Sequence, residues 1–309
     1  MSGVTIVKIK SEDDGIRLNR WFLKYYPGLS LGRFQKLLRT KQIKVDGQKA
    51  DAGTRLSVGQ EIRVPPLDNE KKAIINESVS QRDAKYVEDM VVYKDENIIV
   101  LNKPSGLAVQ GGTNTTRHID GMLNALKFGN DEKPKLVHRI DKDTSGLLVL
   151  ARNRKMADVL TKAFREHTLK KTYLALARGV PVKPEGEIKA PLEKIDGRVQ
   201  VTDGGKHAIT EYSVIDFVGE RYALIEASPL TGRTHQIRVH LEYVNAPILG
   251  DSKYFGKERE RNGLLKDKLH LHAYKIDLSA VCSKKLVIKA PLPDYFKDSL
   301  KTLGIKFKE

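Results

Sequence analysis

The sequence holds a single cysteine, Cys282, in 309 residues, so neither an intrachain disulfide nor a thiolate-rich zinc site can be built. No apolar run approaches the length of a bilayer span. The opening Met-Ser-Gly-Val-Thr-Ile-Val-Lys-Ile-Lys lacks the apolar core of a signal peptide. There is no internal repeat and no low-complexity tract. Negative charge is in short supply: 39 acidic against 55 basic residues leave a net charge of +16 and a pI of about 9.6. The expectation is a soluble, cytoplasmic protein whose surplus charge favours a polyanion, nucleic acid before acidic membrane. With 40% hydrophobic residues, the chain is long enough for a sizeable core in one large domain or two.

The first ten residues alternate at Val4, Ile6 and Ile9, as a leading strand would. Leu18, Trp21, Phe22 and Tyr25 then predict a helix stopped by Pro27-Gly28. Ser30 is a good N-cap for a second helix with the apolar stripe Leu31, Phe34, Leu37 and Leu38. Asp46-Gly47 suits a type I′ turn between short strands, followed by Gln60–Val64. Pro65-Pro66 closes this module, and the polar residues 67–85 read as a linker. Strands resume at 91–93 and 98–101, the latter running into Lys103-Pro-Ser-Gly106, and a short helix is expected near 122–126. Asn153 caps a helix carrying Met156, Val159, Leu160, Ala163 and Phe164. Further strands are expected at 170–177, 222–227, 270–273 and 286–290, with helices after Thr234 and near 294–303.

The most informative stretch is Leu136–Arg152, two apolar runs around a polar knot from His138 to Ser145 that Gly146 closes. A calcium loop using Asp141, Asp143 and Ser145 fails, because its twelfth position, which needs a bidentate glutamate, is Arg152. An aspartyl-phosphatase pattern is weak, since Thr144 comes one position early and His138-Arg139 interrupt the preceding strand. His235 with His240, or His270 with His272, have neither helical-pair spacing nor a third zinc ligand nearby, so each reads as a core or hydrogen-bonding histidine. Ser145 lacks a Gly-x-Ser-x-Gly elbow. What remains is an unpaired aspartate, Asp141, in a glycine-closed turn of a basic chain, and no metal is expected.

The run His138–Ala151 resembles the catalytic motif of the RluA family of pseudouridine synthases. Lys103–Gly106, Lys171–Tyr173, Gly232–His240, Gly250-Asp251 and Ala290–Pro293 agree with that family in order. The stretch from Arg17 to Val64 resembles the S4 RNA-binding domain. These resemblances imply an α+β protein: an S4-type domain over 15–66, a linker over 67–85, and a synthase domain over 86–309 built on a large mixed, mainly antiparallel sheet flanked by helices and loops. They imply isomerisation of uridines with no cofactor and with Asp141 as nucleophile, Arg238 as its buried cation, and Tyr173 stacking on the flipped base. Arg33, Lys36, Arg39, Lys41 and Lys44 are the implied phosphate contacts of the small domain. Lys103, Arg139 and Arg233 are the implied RNA contacts of the large one. Large-subunit ribosomal RNA is the expected substrate and partner of a monomeric enzyme with no membrane and no obligate protein partner, with tRNA, another rRNA site or a non-catalytic ribosome-assembly role as alternatives. The charged insertion at 257–268 departs from the family pattern.

Overall fold

A computed structural model of the protein describes residues 3–26, 28–67, 79–111, 115, 117–255, 265, 267–282 and 284–308. The chain forms two compact units, Met1–Ser78 and Val79–Glu309. Most of the charged insertion at 257–268 lies outside the described residues.

The first unit runs β1 (Thr5–Lys8), α1 (Leu18–Tyr25), α2 (Leu31–Arg39), β2 (Lys44–Val45), β3 (Gln48–Lys49) and β4 (Glu61–Val64), with sheet order β1-β4-β2-β3. Its apolar faces are the ones the periodicity requires. Leu18, Trp21 and Phe22 of α1 and Phe34 and Leu38 of α2 pack with Ile43, Val45, Ile62 and Val64. Two residues depart from that reading. Leu31, at the first helical position, and Tyr25, at the last of α1, are exposed. The Tyr25 hydroxyl instead donates to Asp13 at 2.6 Å. Ser30 caps α2 by accepting from the Arg33 N–H, and Asp46 and Gly47 take positive φ (49° and 75°), the type I′ geometry. Because Thr5 pairs with Val64, this unit begins before residue 15.

The second unit begins in what read as linker. Residues Gln81–Glu88 form α3, capped by Ser80, and only Val87 of that helix is buried. Its polar composition hid it. There follow β5 (Val91–Lys94), β6 (Ile98–Lys103), α4 (Ile119–Met122), β7 (Lys135–Leu136), β8 (Ser145–Ala151), α5 (Arg154–Arg165), β9 (Lys170–Arg178), β10 (Glu185–Lys189), β11 (Leu192–Ile195), β12 (Arg198–Val201), β13 (Ile209–Val218), β14 (Tyr222–Pro229), α6 (Gln236–Tyr243), β15 (Leu271–Asp277), β16 (Val287–Lys289) and α7 (Asp294–Leu303).

Ten of these strands make one sheet in the order β10-β13-β14-β9-β15-β8-β6-β5, with β16 on β15 and β7 on β8. The pairing is antiparallel except between β8 and β15, which run parallel. This is the mixed, mainly antiparallel sheet of an α+β fold. The central strand β8 is buried along its whole length, so Ser145–Ala151 is apolar on both faces after its first residue. One face packs on α5 through Leu160 and Ala163, the other on Leu123 and Leu126. The polar knot thus ends at the middle of the sheet.

Candidate active site

Gly146 sets the geometry where the knot meets the sheet. It has φ +104°, and a Cβ there would lie 2.3 Å from the Ala273 carbonyl oxygen. No side chain fits, so glycine is what lets β8 approach β15 in parallel. The ladder then carries one row across five strands: Lys103 of β6, Gly146, Ala273 of β15, Tyr173 of β9 and Ala227 of β14. Tyr173 is flanked by alanine on both sides, and small neighbours leave room around an aromatic ring.

That room is part of a cavity of about 580 Å³, lined among others by Arg139, Asp141, Tyr173, Arg233, His235 and Arg238. Its size suits a small organic group such as a nucleobase with its sugar. Asp141 sits in the loop before β8 with its side chain 28% exposed. Its Oδ2 accepts from Arg238 Nη1 at 3.3 Å, while its Oδ1 has no hydrogen-bond partner among the described residues. The cation expected against it is therefore present.

Arg238 lies on α6 and is almost fully buried. Its Nε and Nη2 donate to the two Asp251 oxygens at 2.7 Å each, a planar two-point pairing. Asp251 also accepts from the Lys253 and Tyr254 N–H groups. Burial opposes the arginine's charge, but the bonds to Asp251 outweigh it, with Asp141 adding to them, and its pKa is raised. Arg238 is thus a fixed cation that Asp251 orients and Asp141 shares. The chain at Gly250 is equally constrained: φ is +71°, and a Cβ would fall 1.9 Å from the Lys268 carbonyl oxygen.

Tyr173 has no hydrogen-bond partner among the described residues. Burial first, and the Asp141 charge second, push its pKa above the ordinary phenol value, so the phenol stays neutral. The loop from Thr231 to His235 is tied down by buried Gln236, whose Oε1 accepts from Thr231 Oγ1 and the Arg233 N–H and whose Nε2 donates to the Ile209 carbonyl.

Lys103 is not a phosphate contact. It is fully buried, and its ammonium donates to the carbonyls of Pro104, Leu107 and Lys142, each at 2.9 Å. The Pro-Ser-Gly turn folds back over the lysine instead of presenting it. Burial lowers its pKa to about 7 against the opposing charges of Asp143 and Asp141. Its work is to hold the 104–107 turn against the Asp141 loop, helped by Ser105 Oγ donating to the Asp143 carbonyl at 2.7 Å. Arg139 and Arg233 are exposed at the cavity. Part of the Arg233 guanidinium is occupied, its Nε donating to the His207 carbonyl. Arg33, Lys36, Arg39 and Lys41 are exposed and Lys44 half-buried on the first unit.

His240, His270 and His272 are hydrogen-bonded core histidines, to Thr210, Ser299 and Ser145 respectively. His235 is hydrogen-bonded too, but it also reaches the site. Its Nδ1 meets the Tyr254 hydroxyl at 2.8 Å, but its Nε2 lies 3.7 Å from Asp141 Oδ2. Burial lowers its pKa, Asp141 opposing and Arg238 adding to the effect. His235, Asp251 and Tyr254 are site residues that sequence reasoning missed. Only the Gly250-Asp251 pair carried a signal. Among the described residues, no group of three or more His, Cys, Asp or Glu side chains could hold a metal ion. Asp141 follows no long strand, β7 ending at Leu136, which removes the phosphatase geometry.

Comparison with known proteins gives this site a context. Residues 97–243 match the family described as RNA pseudouridylate synthase. The chain is 38% identical over 293 residues to ribosomal large subunit pseudouridine synthase C of Rickettsia felis, covering 91% of this chain and 95% of that one. It is 33% identical to the Escherichia coli O157:H7 protein of the same name, with 97% of each covered. The solved structure of Human RNA Pseudouridylate Synthase Domain Containing 4 superposes with a TM-score of 0.63 at 30% identity, over 73% of this chain and 97% of that one. With its central sheet, cavity and part-buried Asp141–Arg238 contact, the chain belongs to the RNA pseudouridylate synthase family.

Proposed function

We propose that this enzyme converts uridine to pseudouridine in large-subunit ribosomal RNA, with Asp141 as the nucleophile. The observation that carries the reading is the Asp141 carboxylate: one oxygen is held by Arg238 and the other is free, in a cavity of nucleoside size. The curated relatives named as large-subunit synthases support the choice of RNA. In the reaction the N1–C1′ bond breaks, the base turns, a C5–C1′ bond forms, C5 loses a proton and N1 gains one. The sum is an isomerisation, so no redox partner or co-substrate is consumed.

The free oxygen of Asp141 attacks, and Arg238 steadies the carboxylate as its charge is consumed and restored. A uridine within folded RNA must first be extruded, at a cost of about a few kcal/mol, and Tyr173 offers its ring as a stacking partner. Because that phenol is held neutral, it moves the C5 proton as a relay, releasing its own proton as it takes another. Arg139, exposed at the cavity, fills the gap left in the RNA stack, and Arg233 meets the backbone. The first unit acts as an S4-like module that holds phosphates through Arg33, Lys36, Arg39, Lys41 and Lys44. The enzyme works as a monomer in the cytoplasm.

The test uses an unmodified large-subunit rRNA transcript. Asp141→Asn should lower pseudouridine formation by about 10⁴-fold or more while RNA affinity stays within about threefold. Modification that persists in that variant refutes the assignment.

A further inference from the structure

Asp141, Tyr173 and Arg238 use only part of the cavity. The remainder is walled by α5, the turn that follows it, the start of β9 and the loop before α6, which contribute Arg165, His167, Lys171, Gly232 and Arg233. Asp141 is the only acid among the described residues lining the cavity, so this region carries cations without a lining carboxylate.

Lys171 is half-buried here and has no carboxylate or hydrogen-bond partner among the described residues. Burial alone pushes its pKa down. A flexible, strongly hydrated ammonium is seldom left that way in a folded protein. Arg233 keeps the rest of its guanidinium open after its Nε bond to His207. Arg165, by contrast, has an acidic neighbour in Glu166 at 3.5 Å. His167 lies in the field of both Lys171 and Arg233, which, after burial, lower its pKa and hold the ring neutral.

His167 supplies an independent observation. It follows Glu166, the C-cap of α5, with φ 56°, and the Thr168 N–H donates to the Ala163 carbonyl at 3.1 Å. This is a Schellman turn, whose left-handed position favours glycine. A histidine there works against the backbone preference of the turn. What it gains is a ring that lines the cavity and packs close to Gly232, where a Cβ would sit 3.1 Å from the histidine Cε1. Strained positions of this kind gather where a side chain is needed for function.

Building on the function proposed above, we infer that Lys171, Arg233 and His167 form a subsite for an RNA backbone phosphodiester next to the reacting uridine. The ammonium supplies the charge, the guanidinium a directed pair of donors, and the neutral imidazole an N–H. An anion here restores the counter-charge that the protein itself omits. It also fixes the ribose of the target nucleotide relative to Asp141 through the chain of the substrate, not through its base.

The test reads binding and turnover on the unmodified large-subunit rRNA transcript. Lys171→Gln should raise KM about tenfold, with kcat changed less than about threefold, and should reduce the slope of log affinity against log salt by about 0.7–0.9. Lys171→Arg should restore the slope. His167→Gly should melt at or above the wild-type temperature yet also raise KM several-fold. A stabilised protein with weaker substrate binding is an outcome that a purely structural histidine does not produce. The subsite is overturned if Lys171→Gln keeps the wild-type slope and KM, or if His167→Gly loses thermal stability with no change in KM. The salt slope is a binding measurement, so it judges the subsite separately from the chemistry. Wild-type protein that binds with the expected slopes but forms no pseudouridine would instead sink the functional reading.

Discussion

Two buried cations bear on the Asp141 loop, and the regions around them solve burial differently. Arg238 is matched by a full counter-ion, Asp251, and bonded to it through two nitrogens. Lys103 is matched by three neutral carbonyls and, among the described residues, no direct ion pair. The first arrangement secures the charge, and the second leaves it negotiable: the arginine's pKa is raised and the lysine's falls to about 7. The difference fits the two tasks. A group that opposes the carboxylate proposed to react needs a permanent charge, whereas a group that ties one turn to another needs only donors.

The largest effect should come from Asp251→Ala. Removing one member of a buried pair strands the other, at about 3–5 kcal/mol. Urea unfolding measures it, and a loss below about 1 kcal/mol would show that Asp251 is not the anchor. Activity should fall as well, because Arg238 is then free to turn toward Asp141 and close its approach.

Lys103→Met should cost less, about 1–3 kcal/mol, since it leaves neutral carbonyls unpaired and not a naked charge. RNA affinity should stay within about twofold, which separates this lysine from the phosphate contacts. A drop in affinity with stability unchanged would reverse the assignment.

A third effect is in pH dependence. Lys103 has a folded pKa of about 7, below its unfolded value of 10.5, so the native state binds fewer protons between them. Its burial cost is fully present below about pH 7 and is relieved as pH rises toward 10.5. The stability advantage of wild type over Lys103→Met should therefore grow from pH 7 to pH 9.5. The gap between wild type and Asp251→Ala should stay flat across that window, because Arg238 does not titrate there. Equal slopes would mean that the three carbonyls hold Lys103 as firmly as Asp251 holds the arginine.

The same contrast explains what could be read before any fold was known. Features decided within a few residues were legible: the Asn153 cap, the Asp46-Gly47 hairpin, and the closing helix Asp294–Leu303. The Asp141–Arg238 contact was legible through the family resemblance, and the two side chains do meet. Lys103 was misjudged because its acceptors include Lys142, 39 residues away, and nothing local says that a strand-end lysine is covered. The nearness of His235 to Asp141 was not legible because its place depends on a left-handed backbone (φ 55°) at the start of α6, which spacing to His240 does not reveal. Helix α3 was hidden by polar composition, although Ser80 followed by Asp83 is a capping signal in plain view.

The parallel pairing of β8 with β15 has a consequence for when activity can begin. Asp141, Tyr173 and Arg238 have all been translated well before Leu271, yet β15 is the strand that lies between β8 and β9. Without it those two strands have a space of roughly 10 Å between them where a neighbour should be. A growing chain therefore carries every group proposed for the reaction for some time without having a site. Long-range pairing of this sort forms late and all at once. Synthesis of Leu271–Asp277 is then what turns a chain of parts into an enzyme, and an interrupted product that ends before Leu271 should be catalytically silent however well its first unit folds.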